Sequence, residues 1–330
     1  MQIRENSTNT EAHIIMLFVN PSVSVIALAF SILIIYVLSK SDFKEPSYKY
    51  LKYQSFFVLT NLFIKTLQPL YYCYDLCGTS KSFFVQIYVI YFVFYLSSVL
   101  EMVAYSCSVY SGLYCILTIS IFPLKKYLLK VLSYGKCMIM TILVFSSILY
   151  VFQPLEYKIQ GRKGYVIKED SKDYGKILYA ANIFRDGVNS FLLIFIDIFL
   201  IIKLRKIMKE KLSLISMHKT NQIDTFDAES QKRISIGTVN IKRTRRKQSV
   251  IILSSCVINL VGRLPLFIFY MITINLPVSF DNFWSFAMCA TIYYLTNIAN
   301  FFVFYFFNQK FKSIVINSLL FILNLKKFKT

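Results

Sequence analysis

Long apolar segments alternate with shorter polar ones along the whole chain. Crossing the hydrocarbon core of a bilayer takes about 20 predominantly apolar residues in a helix, because lipid offers no hydrogen-bond partner to free backbone groups. Segments of this kind occur at 13–39, 48–72, 83–118, 136–154, 178–207, 248–275 and 283–307. The pattern therefore predicts an all-α membrane protein, a bundle of seven transmembrane helices that we number as the first to seventh segments.

The composition agrees with that prediction and narrows it. Hydrophobic residues make up 56% of the 330 residues, and 31 residues are Phe and 24 are Tyr, which is more than soluble domains carry. A net charge of +20 would suit nucleic-acid binding if the basic residues formed a soluble face, but they border the apolar segments. We therefore expect the lipid bilayer, and no nucleic acid, as a partner.

Lysine and arginine crowd into alternate connections between the segments. The connections after the first, third and fifth segments and the C-terminal tail are rich in them, whereas residues 1–12 contain only Arg4. The positive-inside rule then places the N-terminus outside and the C-terminus inside, in a multi-pass protein of the plasma membrane. Asn6 begins the sequon Asn6-Ser7-Thr8, which can be glycosylated only on the outer side. Both features predict an extracellular segment 1–12 with a glycan on Asn6.

The connection between the fifth and sixth segments is long and polar. Residues 208–247 combine many Lys and Arg with Ser, Thr, Asn and Gln. Such a composition buries too little apolar surface to fold alone. It predicts a flexible, basic third intracellular loop.

Charged residues within the predicted spans are the main candidates for function. They are Lys65, Glu101, Asp186, Asp197 and Arg263. Each costs about 2.5–3.5 kcal/mol at the bilayer centre on translocon scales, so each should face the bundle interior or water and find a partner there. We predict that Arg263 contacts Asp186, with Glu101 as the alternative partner and Lys65 facing the same interior. Such a network either fixes helix packing alone or also binds a ligand.

Two of the charges in the fifth segment have positions that need separate treatment. Arg185 is expected near the outer boundary of the segment, beside Asp186. Asp197 lies about two turns before the basic run that starts at Lys203. There it either pairs with a cation of the inner loops or reaches toward the basic boundary, which makes it a candidate conformational switch.

Motifs that would indicate catalysis are absent from the sequence. It contains no HExxH, P-loop, GxSxG or CxxC motif, and its 2 histidines, His13 and His218, lie at a helix border and in a loop. We therefore expect no enzyme activity, no metal and no cofactor. Cys73 and Cys77, near the outer end of the second segment, either form a disulfide after local unwinding or remain two free thiols.

The end of the seventh segment carries the most specific pattern in the chain. The residues concerned are Asn300, Phe304, Asn308 and the pair Phe311-Lys312. They resemble the end of the seventh helix in rhodopsin-like (class A) G-protein-coupled receptors, where Asn-Pro-x-x-Tyr is followed by an Asn and then by Phe-Arg or Phe-Lys. Phe301 stands in place of the proline of that motif, and Phe304 in place of its tyrosine.

The residues after the seventh segment form an apolar pattern of their own. Phe307, Phe311, Ile314, Val315 and Leu319 repeat at helical spacing. This spacing predicts a basic amphipathic helix over 308–325 that lies parallel to the membrane in its inner interface, followed by the tail to residue 330.

The sixth segment is also similar to the same family. Gly262-Arg263-Leu264-Pro265 stands where these receptors have Cys-Trp-x-Pro, so Pro265 would supply the kink and Arg263 takes the place of the tryptophan. After the third segment the chain departs from the family, because Cys115-Ile116-Leu117 stands where Asp-Arg-Tyr is expected. The chain looks like a divergent receptor of the invertebrate chemosensory or neuropeptide type.

The resemblance implies a receptor that binds an extracellular ligand, either a peptide or a chemosensory small molecule. Such a receptor signals to a heterotrimeric G protein through its basic cytoplasmic surface. The candidates for its ligand pocket are Arg263, Asp186, Lys65 and Glu101, and the candidates for its conformational switch are Pro265, Asn300, Phe304 and Asp197. Two alternatives stay open: a receptor-shaped protein without G-protein coupling, and a transporter or channel.

Overall fold

The computed structural model describes residues 14–40, 42–67, 82–120, 124–159, 165–167, 177, 180–220, 228–273 and 281–327. The first half of the chain contains helices α1 (Ile15–Leu38), α2 (Pro46–Thr66), α3 (Phe83–Ile119), α4 (Lys125–Ser133), α5 (Gly135–Tyr150) and α6 (Phe152–Glu156). The second half contains α7 (Asn189–Thr220), α8 (Ala228–Thr273), α9 (Asp281–Phe307) and α10 (Gln309–Lys327). Three stretches have the wider π-helical geometry: Ile15–Val19 at the start of α1, Tyr88–Leu96 within α3, and Ile183–Val188, which leads directly into α7.

Six helices in the described part of the chain are long and apolar enough to cross a membrane. They belong to α1, α3, α5, α7, α8 and α9, at Ile15–Leu38, Phe83–Ile119, Gly135–Leu155, Ala180–Lys206, Ser249–Phe269 and Trp284–Phe307. Large apolar side chains are exposed on their outer faces, among them Phe18, Phe195 and Phe306 at 67%, 68% and 69%. Because water would not favour so much exposed apolar surface, these faces indicate a helical membrane protein.

Helix α2 corresponds to the second predicted segment but is more polar than the other six. It is 21 residues long and carries Lys49, Lys52 and Lys65, and it is not among the helices apolar enough to span by composition. Its length of about 31 Å nevertheless matches a hydrocarbon core of roughly 30 Å. Its buried residues include Asn61 and Leu62, and the helix packs against α1 and α3.

Helix α3 lies at the centre of the bundle. Every residue from Ser97 to Val109 is buried, and α2, α5, α7 and α8 pack around the helix. Gly112 permits a close approach of α7, because a Cβ at this position would lie 2.6 Å from the Ile196 side chain. Helix α5 is peripheral by contrast, with 17% of its span buried. A side chain in the buried part of α3, from Ser97 to Val109, can therefore contact several helices at once.

A short β-hairpin departs from the all-α prediction. Strand β1 (Tyr157–Ile159) pairs antiparallel with β2 (Tyr165–Ile167), and Tyr157 lies opposite Ile167. The strands are rich in aromatic and β-branched residues, and Gly161 and Gly164 stand between them in the sequence. This composition favours a hairpin. Three residues per strand are too few for an alternating pattern to be recognised from the sequence.

The helices also extend into the predicted third loop at 208–247. Helix α7 continues to Thr220, and α8 begins at Ala228. Residues 208–220 contain neither Gly nor Pro and are rich in Lys, Leu, Met and Glu, which are strong helix formers. The backbone is therefore helical over most of the range for which composition predicts a flexible loop.

The predicted helix after the seventh segment is present as α10. Asn308 separates it from α9, and its Oδ1 accepts a hydrogen bond of 3.2 Å from the backbone N–H of Phe311, as an N-cap residue does. Phe311 is fully buried and stacks on Phe304 with 5.5 Å between the ring centroids. Lys310 and Lys312 are exposed on the opposite side, so the start of α10 is amphipathic as predicted.

Candidate functional site

Five charged side chains meet in the interior of the bundle. Lys65 comes from α2, Glu101 from α3, Arg263 from α8, and Arg185 and Asp186 from the π-helical stretch before α7. Lys65 is 18% exposed, and the other four side chains are at most 6% exposed. We refer to these five residues as the charge cluster.

Glu101 is the centre of the charge cluster. Its Oε1 pairs with Lys65 Nζ, and its Oε2 lies 2.9 Å from Arg263 Nη1 and 3.4 Å from Arg185 Nη1. One carboxylate is therefore shared by three cations from three helices. Glu101 can contact all three because α3 is buried on all sides from Ser97 to Val109.

Arg185 and Asp186 form the second part of the charge cluster. Arg185 donates from Nε to Asp186 Oδ1 at 2.9 Å and from Nη2 to Asp186 Oδ2 at 2.5 Å, a two-point geometry that strengthens ion pairs. Arg263 Nη1 lies 3.9 Å from Asp186 Oδ1. The predicted contact between Arg263 and Asp186 is thus present, and the alternative partner Glu101 is the closer of the two.

Arg185 was expected near the outer boundary of the fifth segment, and it lies near the start of the apolar span Ala180–Lys206. Arg185, Asp186 and Gly187 are all buried there. A π-helical turn holds more residues than an α-helical one, so consecutive residues can face the same interior. The adjacent Arg and Asp were visible in the sequence, but nothing in the pattern of apolar residues indicates the π-helical stretch.

Aromatic and amide side chains hold the charge cluster in place. The ring of Tyr293 on α9 lies 4.2 Å from the Arg263 guanidinium carbon and 5.2 Å from Lys65 Nζ, within the range of cation–π attraction. Asn61 donates to Glu101 Oε1 at 2.9 Å and accepts a hydrogen bond of 2.6 Å from Ser97. These neighbours fix the orientation of Glu101, and the sequence analysis did not identify any of them.

Close helix contacts position two of the charged residues. A Cβ at Gly262, next to Arg263, would lie 2.3 Å from Thr296 Oγ1 on α9. A Cβ at Gly187, next to Asp186, would lie 2.8 Å from the Phe267 ring on α8. Glycine at both positions therefore lets the helices approach closely enough for the ion pairs to form.

A cavity of about 160 Å³ opens beside the charge cluster. Lys65, Glu101 and Arg185 line it, together with Gln153 and several aromatic residues including Tyr293. The Gln153 Oε1 atom is buried and has no hydrogen-bond partner among the described residues. Of the predicted pocket residues, Lys65 and Glu101 line this cavity, whereas Asp186 and Arg263 lie behind them and do not.

A second polar network lies one helical turn from Arg263 along α8. Asn259 donates to Ser108 Oγ at 3.2 Å, Asn300 donates to Asn259 Oδ1 at 2.9 Å, and Ser255 donates to Asn300 Oδ1 at 3.0 Å. We refer to Ser108, Ser255, Asn259 and Asn300 as the inner network. It joins α3, α8 and α9, so Asn300, a predicted switch residue, bonds directly to two others.

Two small cavities flank the inner network. They measure about 10 and 20 Å³, each close to the space that one water needs. Gln54 lines both cavities, and its buried Oε1 has no hydrogen-bond partner among the described residues. Arg263 lines the smaller one. Arg263 therefore connects the other members of the charge cluster to the inner network.

The other predicted switch residues have different environments. Pro265 lies within α8, which continues through it, and Phe304 packs on Phe311 as described above. Asp197 is 5% exposed, and neither of its carboxylate oxygens has a hydrogen-bond partner in the part of the chain that is described. The predicted pairing of Asp197 with an inner cation, or its extension to the basic boundary, is therefore not found among these residues, because the side chain faces the bundle interior.

Some predicted sites lie outside the described residues. They are the glycosylation site Asn6 with the segment 1–12, and the possible disulfide between Cys73 and Cys77. Among the described residues, no group of three or more His, Cys, Asp or Glu side chains could hold a metal ion.

Comparisons with known proteins do not assign the chain to a family. No family model matches the chain, and no curated protein matches it either. The charge cluster, the cavity and the inner network therefore carry the functional argument.

Proposed function

We propose that the chain is a seven-transmembrane receptor of the rhodopsin-like G-protein-coupled type, with its N-terminus outside the plasma membrane. The observation that carries the proposal is the charge cluster, which lies beside a cavity and within one turn of a polar network reaching three helices. A receptor needs a ligand cavity joined to a bundle with more than one arrangement. The cavity is the candidate ligand site. The charge cluster and the inner network are the candidate elements with more than one arrangement.

Helix α2 would be the seventh span. Its three lysines leave its middle uncharged, since Lys49 and Lys52 lie in its first third and Lys65 lies at its other end in the charge cluster. A lysine near a helix end can extend to the interface, and a paired one is stabilised inside the bundle. With seven spans the termini fall on opposite sides, in agreement with the basic residues near α10 and in the inner connections.

The ligand would carry an anionic group. Lys65, Arg185 and Arg263 are three cations, and Glu101 and Asp186 are two carboxylates, so the buried charge cluster has one positive charge in excess. An unbalanced charge out of water is costly. A carboxylate in the cavity would balance it and would meet Lys65 and Arg185 first, since both line the cavity. A hydrogen-bond donor on the ligand would meet Gln153 Oε1, which has no partner within the described part of the chain.

Signalling would start from competition for these cations. A ligand carboxylate that binds Lys65 and Arg185 weakens their hold on Glu101, which then depends more strongly on Arg263. Arg263 lies two residues before Pro265 and one turn from Asn259, so its movement would act on α8 and on the inner network together. A heterotrimeric G protein would read the change at the basic end of the bundle, although the arginine that the family has after the third helix is missing.

The test is expression in cells that carry G-protein biosensors and a panel of peptides and carboxylate-bearing odorants. Each active compound is retested as its methyl ester, which keeps the shape and removes the charge. We expect activity to be lost with the ester, and to fall in the Lys65→Gln variant at equal surface expression. A well-expressed protein that never changes a biosensor signal, while passing current or substrate, would indicate a channel or transporter instead.

The proposed orientation has its own test. Glycosidase treatment should shift the electrophoretic mobility of the full-length chain, and the Asn6→Gln variant should show no shift, because a glycan at Asn6 requires an outer N-terminus. Epitope tags that place both termini on the same side of the membrane would contradict it.

A further inference from the structure

A groove lies between α1 and α10, on the outer surface of the bundle. It encloses about 540 Å³ and is lined by Ile32, Leu33, Tyr36, Lys40, Ile314, Asn317 and Ser318. Ile32 and Tyr36 are 55% and 45% exposed, so the groove opens away from the bundle interior. Its volume falls within the range of roughly 300–1,000 Å³ found for small-molecule sites in proteins.

Helix α1 packs on the bundle mainly through other residues. Phe30 packs on Phe301 and Phe302 of α9, with ring centroids 4.5 and 5.6 Å apart. Leu33 and Ile314, at the floor of the groove, are partly buried against the same core, whereas Ile32 and Tyr36 are exposed on its outer side. In a membrane-spanning bundle, such an outward face is in contact with lipid.

The lining of the groove is divided into an apolar part and a polar part. Ile32, Leu33 and Ile314 form the apolar part. In the polar part, Lys40 Nζ lies 4.4 Å from the centroid of the Tyr36 ring, and the Tyr36 hydroxyl interacts with both Ser318 and Lys40. A cation and hydroxyl groups at one end, and branched apolar side chains at the other, match the two ends of a phospholipid.

We propose that this groove binds one anionic glycerophospholipid. Its phosphate and anionic headgroup bind Lys40 beside Tyr36 and Ser318, and one acyl chain lies along Ile32, Leu33 and Ile314. Basic pockets at membrane depth recognise lipid headgroups in this way, because an anionic head is attracted to lysine near the surface while the chain stays in an apolar environment. The proposal needs only a membrane-embedded chain and does not depend on receptor function.

The test uses the full-length protein reconstituted in nanodiscs that contain equal amounts of phosphatidylserine and phosphatidylcholine with the same acyl chains. After release into mild detergent, native mass spectrometry counts the lipids that stay bound. We expect one retained lipid, mainly phosphatidylserine. Lys40→Gln should lower the retained phosphatidylserine about fivefold, the change that the loss of one surface lysine produces.

Two further variants separate this site from general attraction to the basic surface. Lys310→Gln makes the same charge change on α10 outside the groove, and it should leave retention unchanged. Ile314→Trp fills the apolar part and should remove the bound lipid of either headgroup. Unfolding temperature and elution volume confirm that each variant is folded.

Three results would overturn the proposal. They are equal retention of both lipids, an equal loss in Lys310→Gln and Lys40→Gln, and a dimer that forms through α1 with no lipid bound. In the last case a second copy of the chain, and not a lipid, would cover the groove.

Discussion

Glu101 on α3 and Arg263 on α8 are joined by an ion pair in which Oε2 and Nη1 lie 2.9 Å apart. The pair links the central helix to the helix that contains Pro265. Both side chains are at most 6% exposed, so neither can regain full hydration if its partner is lost. The stability of the bundle should therefore depend on the balance of charge around Glu101.

Replacing Glu101 by Gln should strongly destabilise the protein. The change leaves three cations facing the single carboxylate of Asp186. Breaking a buried ion pair by removing one partner costs about 3–5 kcal/mol. Thermal unfolding of the purified full-length chain in detergent should show a lower transition temperature than the unchanged protein.

Arg263→Gln is the matched comparison for Glu101→Gln. It leaves two cations and two carboxylates, so the remaining cluster is neutral and the loss of stability should be smaller. In the double variant the stability should exceed that of Glu101→Gln alone, because one excess cation is removed, and the two effects should not add. Additive losses would mean that the two residues do not interact.

A methyl group at Gly262 should separate α8 from α9. The Cβ of Ala would lie 2.3 Å from Thr296 Oγ1, and overpacking of this kind costs about 1–3 kcal/mol. We expect a lower unfolding temperature for Gly262→Ala. Gly135→Ala is the control, because its Cβ would meet only ordinary contacts, the nearest at 3.6 Å. Equal behaviour of the two variants would contradict the close helix contact.

Removing the Asn300 amide should weaken the inner network. Asn300→Ala takes a partner from both Asn259 and Ser255, and each unpaired buried group costs about 1–3 kcal/mol. Water entering from the adjacent 20 Å³ cavity would reduce that loss, so the expected change is near the lower end. Thr141→Ala, which removes an exposed hydroxyl bonded within its own helix, should change the unfolding temperature little.

Asp197→Leu should stabilise the protein. Both carboxylate oxygens are buried without a described partner, and an unpaired polar group in an apolar site costs about 1–3 kcal/mol by protein mutational data. The unfolding temperature should therefore rise. Asp186→Asn should lower it, because Asp186 is paired with Arg185. A lower unfolding temperature for Asp197→Leu would show that a cation from the cytoplasmic connections pairs with Asp197.

The sequence could predict which charges meet, but not how they are arranged. Charges within apolar spans must find partners, and this rule, together with the resemblance of the sixth segment to the receptor family, brings Arg263 together with Asp186 and Glu101. The arrangement depends on the π-helical stretch Ile183–Val188, whose register a regular period of 3.6 residues does not describe. The sequence therefore did not indicate that Arg185 and Asp186 are buried side by side.

Other elements differ for equally local reasons. The predicted spans correspond to long helices because long apolar runs are unambiguous, yet only Asn308 and its bond to Phe311 fix where α10 begins. The range 208–247 has the composition of a loop, but α7 extends into it because no Gly or Pro interrupts residues 208–220, and α8 covers 228–247 although it contains Gly237. Tyr293 and Asn61 support the charge cluster only through tertiary contacts, which no spacing in the chain encodes.

The π-helical stretch Tyr88–Leu96 has a consequence for the outer part of the cavity. It precedes the buried run that starts at Ser97, and a wide turn of this kind holds one residue more than the α-helical turn it replaces. Deleting one residue there would restore a regular helix and rotate everything before it by about 100°, while Glu101 stayed in place. Val93, which lines the cavity, would then turn toward lipid. The number of residues in this π-helical stretch therefore decides, as much as their chemistry does, which side chains line the cavity.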